Sequence, residues 1–338
     1  MKLTPTRRDA LVLGGGLAGG AALSTFGRQE GFGGTGPGGR KYGKDLEYVW
    51  LSAHAHLPLF VGRDHPALKL AGEELGVTVT IAGPETVDKP ALVAAIEQTA
   101  ARKPAGMMVV GWDATLLVKP IDNAVAAGIP VVCVDADVPT SKRYAFIGTD
   151  WTDIGVRQAE AMVKALNGRK GTVALLGLVD QNIDLLAFAG FRGVAEKAGL
   201  SVLPPVHDEG KQDVATRVAA AVLQREKDLV GVAGFDSESG PGMGQAIKEA
   251  GRVGRVIATC VDTSEQHLKL LREGVLTACV GQNRELFTYM GVKVLHDIVH
   301  SPFPLTPEER AMGRTPVPVN FNTGTYTVTR DNVDQLRQ

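Results

Sequence analysis

Short apolar runs alternate with longer, more polar stretches from Leu46 almost to the end of the chain. The apolar runs, in order, are LEYVWLS, VTVTI, GMMVVG, IPVVCV, YAFIG, TVALLG, LVGVAG, RVIATCV and LTACVG. Near-continuous apolar strands are typical of sheets that helices cover on both faces. The stretches between them, such as residues 88–101 and 150–167, have the length and composition of helices. This alternation predicts βαβ units and parallel sheets, and therefore an α/β fold.

The pattern contains an internal repeat. Residues 88–113 and 213–236 each begin with Asp, continue through an alanine-rich helix and close a strand with Gly-aromatic-Asp. A shared Cys-Val-Asp follows each segment, at residues 133–135 and 260–262. The paired aspartates are 123 and 127 residues apart. Two matches in the same order predict two similar doubly wound parallel-sheet lobes with a ligand cleft between them.

The repeat also predicts how the chain is divided between the lobes. We expect a multi-segment hinge, with crossings near Gly148-Thr149, Gln282-Asn283 and residues 314–319. The expected ranges are residues 45–148 plus about 283–314 for the N-terminal lobe, and residues 149–282 plus about 315–338 for the C-terminal lobe.

The first 44 residues contain a Gly14-x-Gly16-x-x-Gly19 motif after a short apolar run. A dinucleotide-binding turn requires a helix and then a second strand after these glycines. Residues 27–40 hold seven glycines and a proline, so neither element can form there. The motif is therefore not interpreted as a cofactor site.

The same segment fits an export signal better. Arg7-Arg8 precedes a weakly apolar run from Ala10 to Phe26, and adjacent arginines before such a run resemble a twin-arginine signal. We interpret residues 1–44 as an export signal followed by a glycine-rich linker, which predicts a periplasmic or extracytoplasmic location. The alternative is the basic N-terminus of a cytosolic protein.

Composition and charge exclude several classes of partner. The chain is 44% hydrophobic and 22% charged, with a net charge of −1, so no general attraction to nucleic acid or acidic membranes is expected. Removing about 40 residues leaves about 298, which suits one large domain or two of ordinary size. No later run approaches the ~18 apolar residues of a spanning helix, so no stable membrane insertion of the mature protein is expected.

The three cysteines, Cys133, Cys260 and Cys279, are far apart and form neither a disulfide framework nor a zinc pattern. All three lie in apolar runs, which predicts buried thiols. The sequence predicts no cofactor and no metal site.

Four aspartates come directly after predicted strands: Asp113, Asp135, Asp236 and Asp262. Ligands of open α/β sheets bind outside the carboxyl ends of the strands. If the lobes face each other, two of these carboxylates point into the cleft from each side. The alternative for each is to cap the following helix, a position that Asp favours.

With these residues, the chain resembles a type I periplasmic binding protein of the ribose and galactose branch that supplies ABC importers. The resemblance covers roughly residues 46–333. Its motifs are SAHAHLPLF, the Asp135 strand end, GFDS, CVD, CVGQN and the tail FNTGTYTVTRDNV. It implies a non-catalytic, monomeric receptor that closes on a small sugar or polyol and delivers it to the permease of an ABC importer.

The resemblance and the strand-end positions together give a set of expected ligand-binding residues. Carboxylates accept hydroxyl hydrogen bonds, aromatic faces cover the C–H face of a sugar, and a glutamine both donates and accepts. A histidine stands where the family usually has an asparagine. The set is His56, Phe60, Trp112, Asp113, Asp135, Asp236, Asp262 and Gln282.

Three departures from the family pattern predict an acidic cleft. Ala136 follows Asp135 where the family has arginine, Leu185 and Leu186 stand near a second arginine position, and Asp236 replaces an asparagine. We therefore expect a neutral sugar or polyol, or a sugar that carries an amine. An anionic sugar would meet carboxylates without basic partners, which is costly when water is excluded. A bound cation is a further alternative, although the chain has no D-x-D-x-D-G loop.

Two other functions are alternatives for this pattern. The ligand-sensing domain of a transcriptional regulator shares this fold, but residues 1–44 are too rich in glycine to form a helix-turn-helix. A glycosidase could use paired acids across a cleft. However, the chain lacks a P-loop, a G-x-S-x-G elbow and an H-E-x-x-H motif.

Overall fold

The computed structural model describes residues 45–301, residue 303 and residues 305–336. The export signal and linker predicted for residues 1–44 lie outside this part of the chain. Within it, no helix is both long and apolar enough to cross a membrane.

Strands and helices alternate along the chain, as the apolar pattern predicts. The first group is β1 (Glu47–Leu51), a π-helical turn (Phe60–Asp64), α1 (His65–Leu75), β2 (Thr78–Ala82), α2 (Lys89–Ala101), β3 (Gly106–Val110), α3 (Val118–Ala126), β4 (Val131–Asp135) and β5 (Ala145–Gly148).

The second group begins with the next helix and ends with a strand. It is α4 (Trp151–Leu166), β6 (Thr172–Gly177), α5 (Asn182–Lys197), β7 (Ser201–Val202), β8 (Val206–His207), α6 (Gln212–Arg225), β9 (Leu229–Gly234), α7 (Ser239–Glu249), β10 (Ile257–Val261), α8 (Glu265–Arg272) and β11 (Ala278–Gln282). The chain then adds α9 (Arg284–Val299), α10 (Pro307–Ala311), β12 (Asn320–Asn322), β13 (Thr325–Thr329) and a 3₁₀ turn (Val333–Gln335).

The two groups form two sheets with the same strand order. The first sheet runs β2-β1-β3-β4-β5-β12, and the second runs β7-β6-β9-β10-β11-β13, with β8 also paired to β6. Every pair is parallel except β11 with β13. In each sheet the first strand lies between the second and the third, so each lobe is doubly wound. The predicted fold class is confirmed.

Local sequence explains where the helices begin and end. The side chain of Asp88 accepts a hydrogen bond from the backbone N–H of Ala91, and Asp150 accepts one from Thr152, so each caps a helix start. Gly76 ends α1 with a φ of 65°, a left-handed conformation that glycine adopts without strain. The strands β3, β4, β6 and β10 are buried along their whole length. Helices on both faces therefore shield their apolar side chains.

The chain passes between the two sheets three times. The first passage follows Gly148, where β5 ends and α4 packs against the second sheet, and the next follows Gln282, where α9 returns to the first. The third lies between Asn322 and Thr325, because β12 pairs with β5 and β13 pairs with β11. This is later than the expected passage at residues 314–319, since β12 extends the edge of the first sheet.

All three cysteines are buried and free, in agreement with the prediction of buried thiols. Cys260 and Cys279 lie opposite each other on β10 and β11, with their sulfur atoms 3.4 Å apart.

Two glycines allow α4 and α5 to approach closely. A Cβ added to Gly155 would lie 1.9 Å from the carbonyl oxygen of Ala187, and one added to Gly190 would lie 2.2 Å from that of Thr152. Because the atoms that each added Cβ would meet belong to the backbone, a side chain at either position could fit only if the helices moved apart. The contact therefore fixes α5, whose first turn lies beside the cleft described below.

We predict that Gly155→Ala lowers the free energy of unfolding by about 1–3 kcal/mol, because the added methyl group overpacks the contact between the helices. Gly193→Ala is the matched control: its Cβ would meet no atom within 4 Å, and alanine favours the helix. Urea denaturation of both variants measures the difference. Equal stability of the two variants would contradict the close-packing argument.

Candidate functional site

A cavity of about 740 Å³ lies between the carboxyl ends of the two sheets. Residues that end or closely follow β1, β3, β4, β6, β8, β9, β10 and β11 line it. Six of the eight expected ligand-binding residues are among them: Phe60, Trp112, Asp135, Asp236, Asp262 and Gln282. The topology therefore places them around one shared space, as expected for the carboxyl ends of parallel strands.

The repeat places one aspartate of each lobe in the same backbone conformation. Asp135 and Asp262 have φ values of 67° and 72°. Asp135 ends β4 and Asp262 directly follows β10, and these two strands occupy the same position in the order of their sheets. Left-handed backbone is uncommon outside glycine, although Asp and Asn tolerate it better than most residues. The shared turn gives the two carboxylates equivalent positions on opposite sides of the cavity.

The first-lobe wall combines a buried carboxylate with aromatic rings. Asp135 accepts hydrogen bonds from Nε1 of Trp112 at 3.2 Å and from Nη1 of Arg284 at 2.9 Å. The Phe60 and Trp112 rings are 5.6 Å apart with a 30° tilt. From the second lobe, the indole of Trp151 at the start of α4 donates to the carbonyl oxygen of Asp135. The wall thus offers flat apolar faces beside fixed polar atoms.

Arg284, the first residue of α9, is a cleft residue that the sequence analysis missed. Its guanidinium also donates to both carboxylate oxygens of Asp64, at 3.2 and 3.3 Å, and lies about 5 Å from the rings of Phe60 and Phe287. Burial works to lower its pKa, but the charges of Asp135 and Asp64 outweigh this and raise it. The wall is therefore less acidic than Asp135-Ala136 alone indicated.

The sequence held one signal for this residue: Arg284 comes two positions after Gln282, beside the predicted hinge. Its contact with Asp135 spans 149 residues of sequence, so no local pattern could reveal it.

The second-lobe wall is built from carboxylates and hydroxyls. Asp262 accepts hydrogen bonds from the hydroxyl of Ser237 at 2.7 Å and from Nε2 of Gln282 at 3.3 Å. Asp236 accepts the backbone N–H groups of Glu238 and Ser239, so it also has the helix-capping role weighed as its alternative.

Additional buried acids surround Asp236. Asp208 accepts a hydrogen bond from the hydroxyl of Ser239 at 2.6 Å, and the same hydroxyl lies 2.8 Å from Asp236. Asp184, from the first turn of α5, lines the cavity. Burial raises the pKa of Asp236 well above its usual range, and the neighbouring Asp208 raises it further. Burial and the charge of Asp236 do the same to the pKa of Asp184.

The structure does not bring His56 and Asp113 into the cavity. His56 is exposed, with its Nε2 atom 4.0 Å from a carboxylate oxygen of Glu85. Asp113 accepts the backbone N–H groups of Thr115 and Leu116, so its capping alternative describes it better. Both follow strands but are absent from the cavity lining, although Asp113 lies behind it, with a carboxylate oxygen 3.7 Å from Nζ of the lining residue Lys89. Neighbouring residues, among them His54 and Lys89, line the cavity instead.

Besides the bond from Trp151 to Asp135, two hydrogen-bonded contacts of polar side chains join the lobes beside the cavity. Nζ of Lys89 donates to a carboxylate oxygen of Asp180 at 2.9 Å, and the side-chain amide of Asn182 donates to the carbonyl oxygen of Asp137 at 3.0 Å. The lobes therefore meet in this structure.

A family model for a periplasmic binding protein domain matches residues 54–301, more than half of the chain. The chain belongs to the periplasmic binding protein family. The resemblance inferred from the sequence motifs is thereby confirmed.

This binding protein is similar to the D-allose-binding periplasmic protein of Escherichia coli (strain K12), with 26% identity over 239 residues that cover 66% of this chain and 75% of that one. Among solved structures, it is similar to the sugar-binding protein of a sugar ABC transporter from Bacillus halodurans, with a TM-score of 0.78 and 27% identity over 86% of this chain and 99% of that one. An arabinose-binding protein from Geobacillus stearothermophilus gives a TM-score of 0.73 and 29% identity over 87% and 100% of the chains.

The donor set of the cleft suits a hydroxyl-rich solute better than a metal. Among the described residues, no group of three or more His, Cys, Asp or Glu side chains has the arrangement to hold a metal ion. Carboxylates, an amide and aromatic faces are the groups that contact hydroxyls and the apolar face of a ring.

We predict that Asp64 makes the stability of this binding protein depend on pH. Asp64 and Asp135 share one guanidinium, and burial raises the pKa of Asp64 to about 7 despite the opposing charge of Arg284. The folded protein then holds a proton that the unfolded chain releases, so stability falls as pH rises from about 4 to about 7.

Asp64→Asn should remove most of this pH dependence. The expected difference is on the order of a few kcal/mol in the free energy of unfolding between pH 4 and pH 7, because a tenfold difference in proton affinity corresponds to about 1.4 kcal/mol. Urea unfolding between pH 4 and pH 8 measures it, with the exposed Asp331→Asn as the control that should keep the slope. If both variants keep the slope of the unaltered protein, Asp64 is not its source.

Proposed function

We propose that the protein is an extracytoplasmic receptor that binds a small sugar or polyol between its lobes and delivers it to the permease of an ABC importer. The observation that carries the proposal is the cavity between two lobes of like topology, with Asp135 on one wall and Asp262 on the other. Its relatives are named as sugar-binding proteins. The receptor has no catalytic role in this proposal.

The chemistry of the two walls supports a polyol ligand. A carboxylate accepts two hydroxyl groups at once, and such charge-assisted bonds are about twice as strong as neutral ones. Asp262 keeps its orientation through Ser237 and Gln282, and Asp135 through Trp112 and Arg284. Because their partners hold these carboxylates in place, little rotamer entropy is lost when a hydroxyl binds. Phe60 and Trp112 supply the surface for the C–H face of the ring.

Binding is coupled to closure of the lobes in this proposal. A solute that touches Asp135 and Asp262 together gains both contacts only when the lobes meet, so it favours the closed state. The three passages between the sheets act as the hinge. The hydrogen bonds of Lys89 and Asn182 to the opposite lobe form beside the solute when the lobes close. The permease then distinguishes the loaded receptor from the empty one by its shape.

We predict that a panel of pentoses, hexoses and polyols contains a ligand that raises the melting temperature. At 100 times its dissociation constant, a ligand adds about 2.7 kcal/mol of stability. Asp135→Asn and Asp262→Asn should each weaken the best ligand by about 10- to 100-fold, since a hydrogen bond to a charged group contributes about 1.5–3 kcal/mol.

The exposed Asp331→Asn is the matched control and should bind as the unaltered protein does. Small-angle scattering of the same samples should show a smaller radius of gyration with ligand than without. The receptor proposal would be contradicted if neither cleft substitution changed the affinity for the best ligand, or if no compound in the panel bound.

We also propose that residues 1–44 export the protein by the twin-arginine route. Replacing Arg7 and Arg8 with lysines keeps the charge but removes the paired arginines, so we predict that the protein stays in the cytoplasm. Cell fractionation of a tagged protein measures its location, and Arg28→Lys is the control that should leave export unchanged. Export of the double-lysine variant at the normal level would exclude this route.

A further inference from the structure

The charges that line the cavity do not balance. Seven acidic and three basic side chains line it. Each basic side chain already has an acidic partner, namely Lys89 with Asp180, Lys211 with Glu209 and Arg284 with Asp135. In the part of the chain that the structure describes, the other four lining carboxylates have no basic side chain within 4.0 Å: Asp184, Asp236, Glu238 and Asp262.

All four unbalanced carboxylates belong to the second lobe. Asp184 stands in the first turn of α5, Asp236 and Glu238 follow β9, and Asp262 follows β10. Asp208 lies fully buried next to Asp236 and adds a further carboxylate to the same region. The excess of carboxyl groups over basic groups is therefore confined to one wall.

Two residues that line the cavity each carry a buried acceptor atom that has no partner among the described residues. Oδ2 of Asp184 and Oε1 of Gln282 accept no hydrogen bond, although the two residues are only 1% and 6% exposed and both line the cavity. A buried acceptor without a donor costs roughly 1–3 kcal/mol, and more when the group is charged. A ligand that donates hydrogen bonds would satisfy both acceptor atoms.

We propose that the solute carries a protonated amine and that the second-lobe wall binds it, so that the receptor prefers an amino sugar or amino polyol to the matching neutral sugar. This inference rests on the proposed receptor function and specifies its ligand. An ammonium group has three donors and no acceptor, which matches the unpaired acceptors of this wall. The hydroxyl groups of the same solute then face Asp135 and the aromatic rings of the first lobe.

Desolvation explains why the charge of the solute decides its affinity. When the lobes close, water leaves the carboxylates, and an unpaired buried charge is expensive. With a neutral sugar, Asp184 and Asp236 keep the protons that their raised pKa values favour, whereas an ammonium supplies the counter-charge that their ionised forms need. An anionic solute adds repulsion at the same wall. We expect at least a tenfold preference for the amine over its hydroxyl counterpart.

Proton release accompanies amine binding in this proposal. Burial and neighbouring carboxylates raise the pKa values of Asp184 and Asp236, so these groups hold protons more strongly than ordinary acids. An ammonium favours their ionised forms, and the affinity for the amine therefore rises with pH while the amine itself stays protonated. The other charged or titratable groups around this wall are Asp180, Asp208, Glu238, Asp262, His267, His207, Glu209 and Lys211, with His54, Lys89, Asp135 and Arg284 across the cavity.

The experiment compares matched pairs of ligands by isothermal titration calorimetry at pH 7. D-Glucosamine, D-galactosamine and 1-amino-1-deoxy-D-sorbitol are each titrated beside D-glucose, D-galactose and D-sorbitol. The N-acetyl derivatives of the amines are uncharged controls that keep the nitrogen. Asp184→Asn and Glu238→Gln test the wall, and Asp331→Asn is the distant control. Repeating the amine titration in buffers of different ionisation enthalpy counts the protons released.

The proposal expects an amine to bind at least tenfold more tightly than its neutral counterpart, with proton release. It also expects that both wall variants reduce this ratio and that Asp331→Asn keeps it. A neutral sugar that binds as tightly as its amine overturns the amine inference while the receptor proposal stands, as does a ratio that survives both wall variants. Absence of binding by every compound overturns both proposals.

Discussion

The guanidinium of Arg284 holds together the parts of the molecule from which the cleft is built. It follows the second passage between the lobes directly, it donates to Asp64 at the start of α1, and it donates to Asp135 at the end of β4. Removing this guanidinium leaves two buried carboxyl groups without their shared basic partner, which is far more destabilising than losing a surface ion pair. Arg284 therefore connects the second passage, the start of α1 and the first-lobe wall of the cavity. The aromatic rings of Phe60 and Phe287 pack against its guanidinium and exclude water from it.

The two lobes share a topology but present different chemistry to the space between them. On the first lobe, each charge at the cavity has a partner of opposite sign, and aromatic rings supply flat apolar surface. On the second, carboxylates outnumber cations, and a buried acceptor of Asp184 stays unpaired. A duplicated fold thus provides equivalent positions in the two lobes, such as those of Asp135 and Asp262. The side chains around these positions determine how polar each wall of the cavity is. Such asymmetry fixes the orientation of a solute, because its cationic end suits one wall only.

Close helix packing supports this arrangement from outside the cleft. Gly155 and Gly190 let α4 and α5 approach until backbone meets backbone, which sets the position of the first turn of α5. Asp184 and Asn182 both lie in that turn, one lining the cavity and the other bonded to the opposite lobe. The acidic wall and the interlobe contact therefore depend on a packing constraint that involves no polar group.

The alternation of strands and helices, the duplicated topology and the family follow from the order of residues alone. Burial on both faces of a parallel strand requires a continuous apolar run, and the repeat keeps the same residue types at the strand ends of both lobes. The strand ends also predicted Asp135 and Asp262 at the cleft, and the structure places both there, in the same left-handed turn. Only the tertiary structure separated Asp236, which reaches the cavity, from its repeat partner Asp113, which caps a turn. Only it brought Arg284 to Asp135 and gathered Asp184 and Asp208 beside Asp236. Loop direction and contacts between distant segments decide these positions, and no local pattern of residues encodes them.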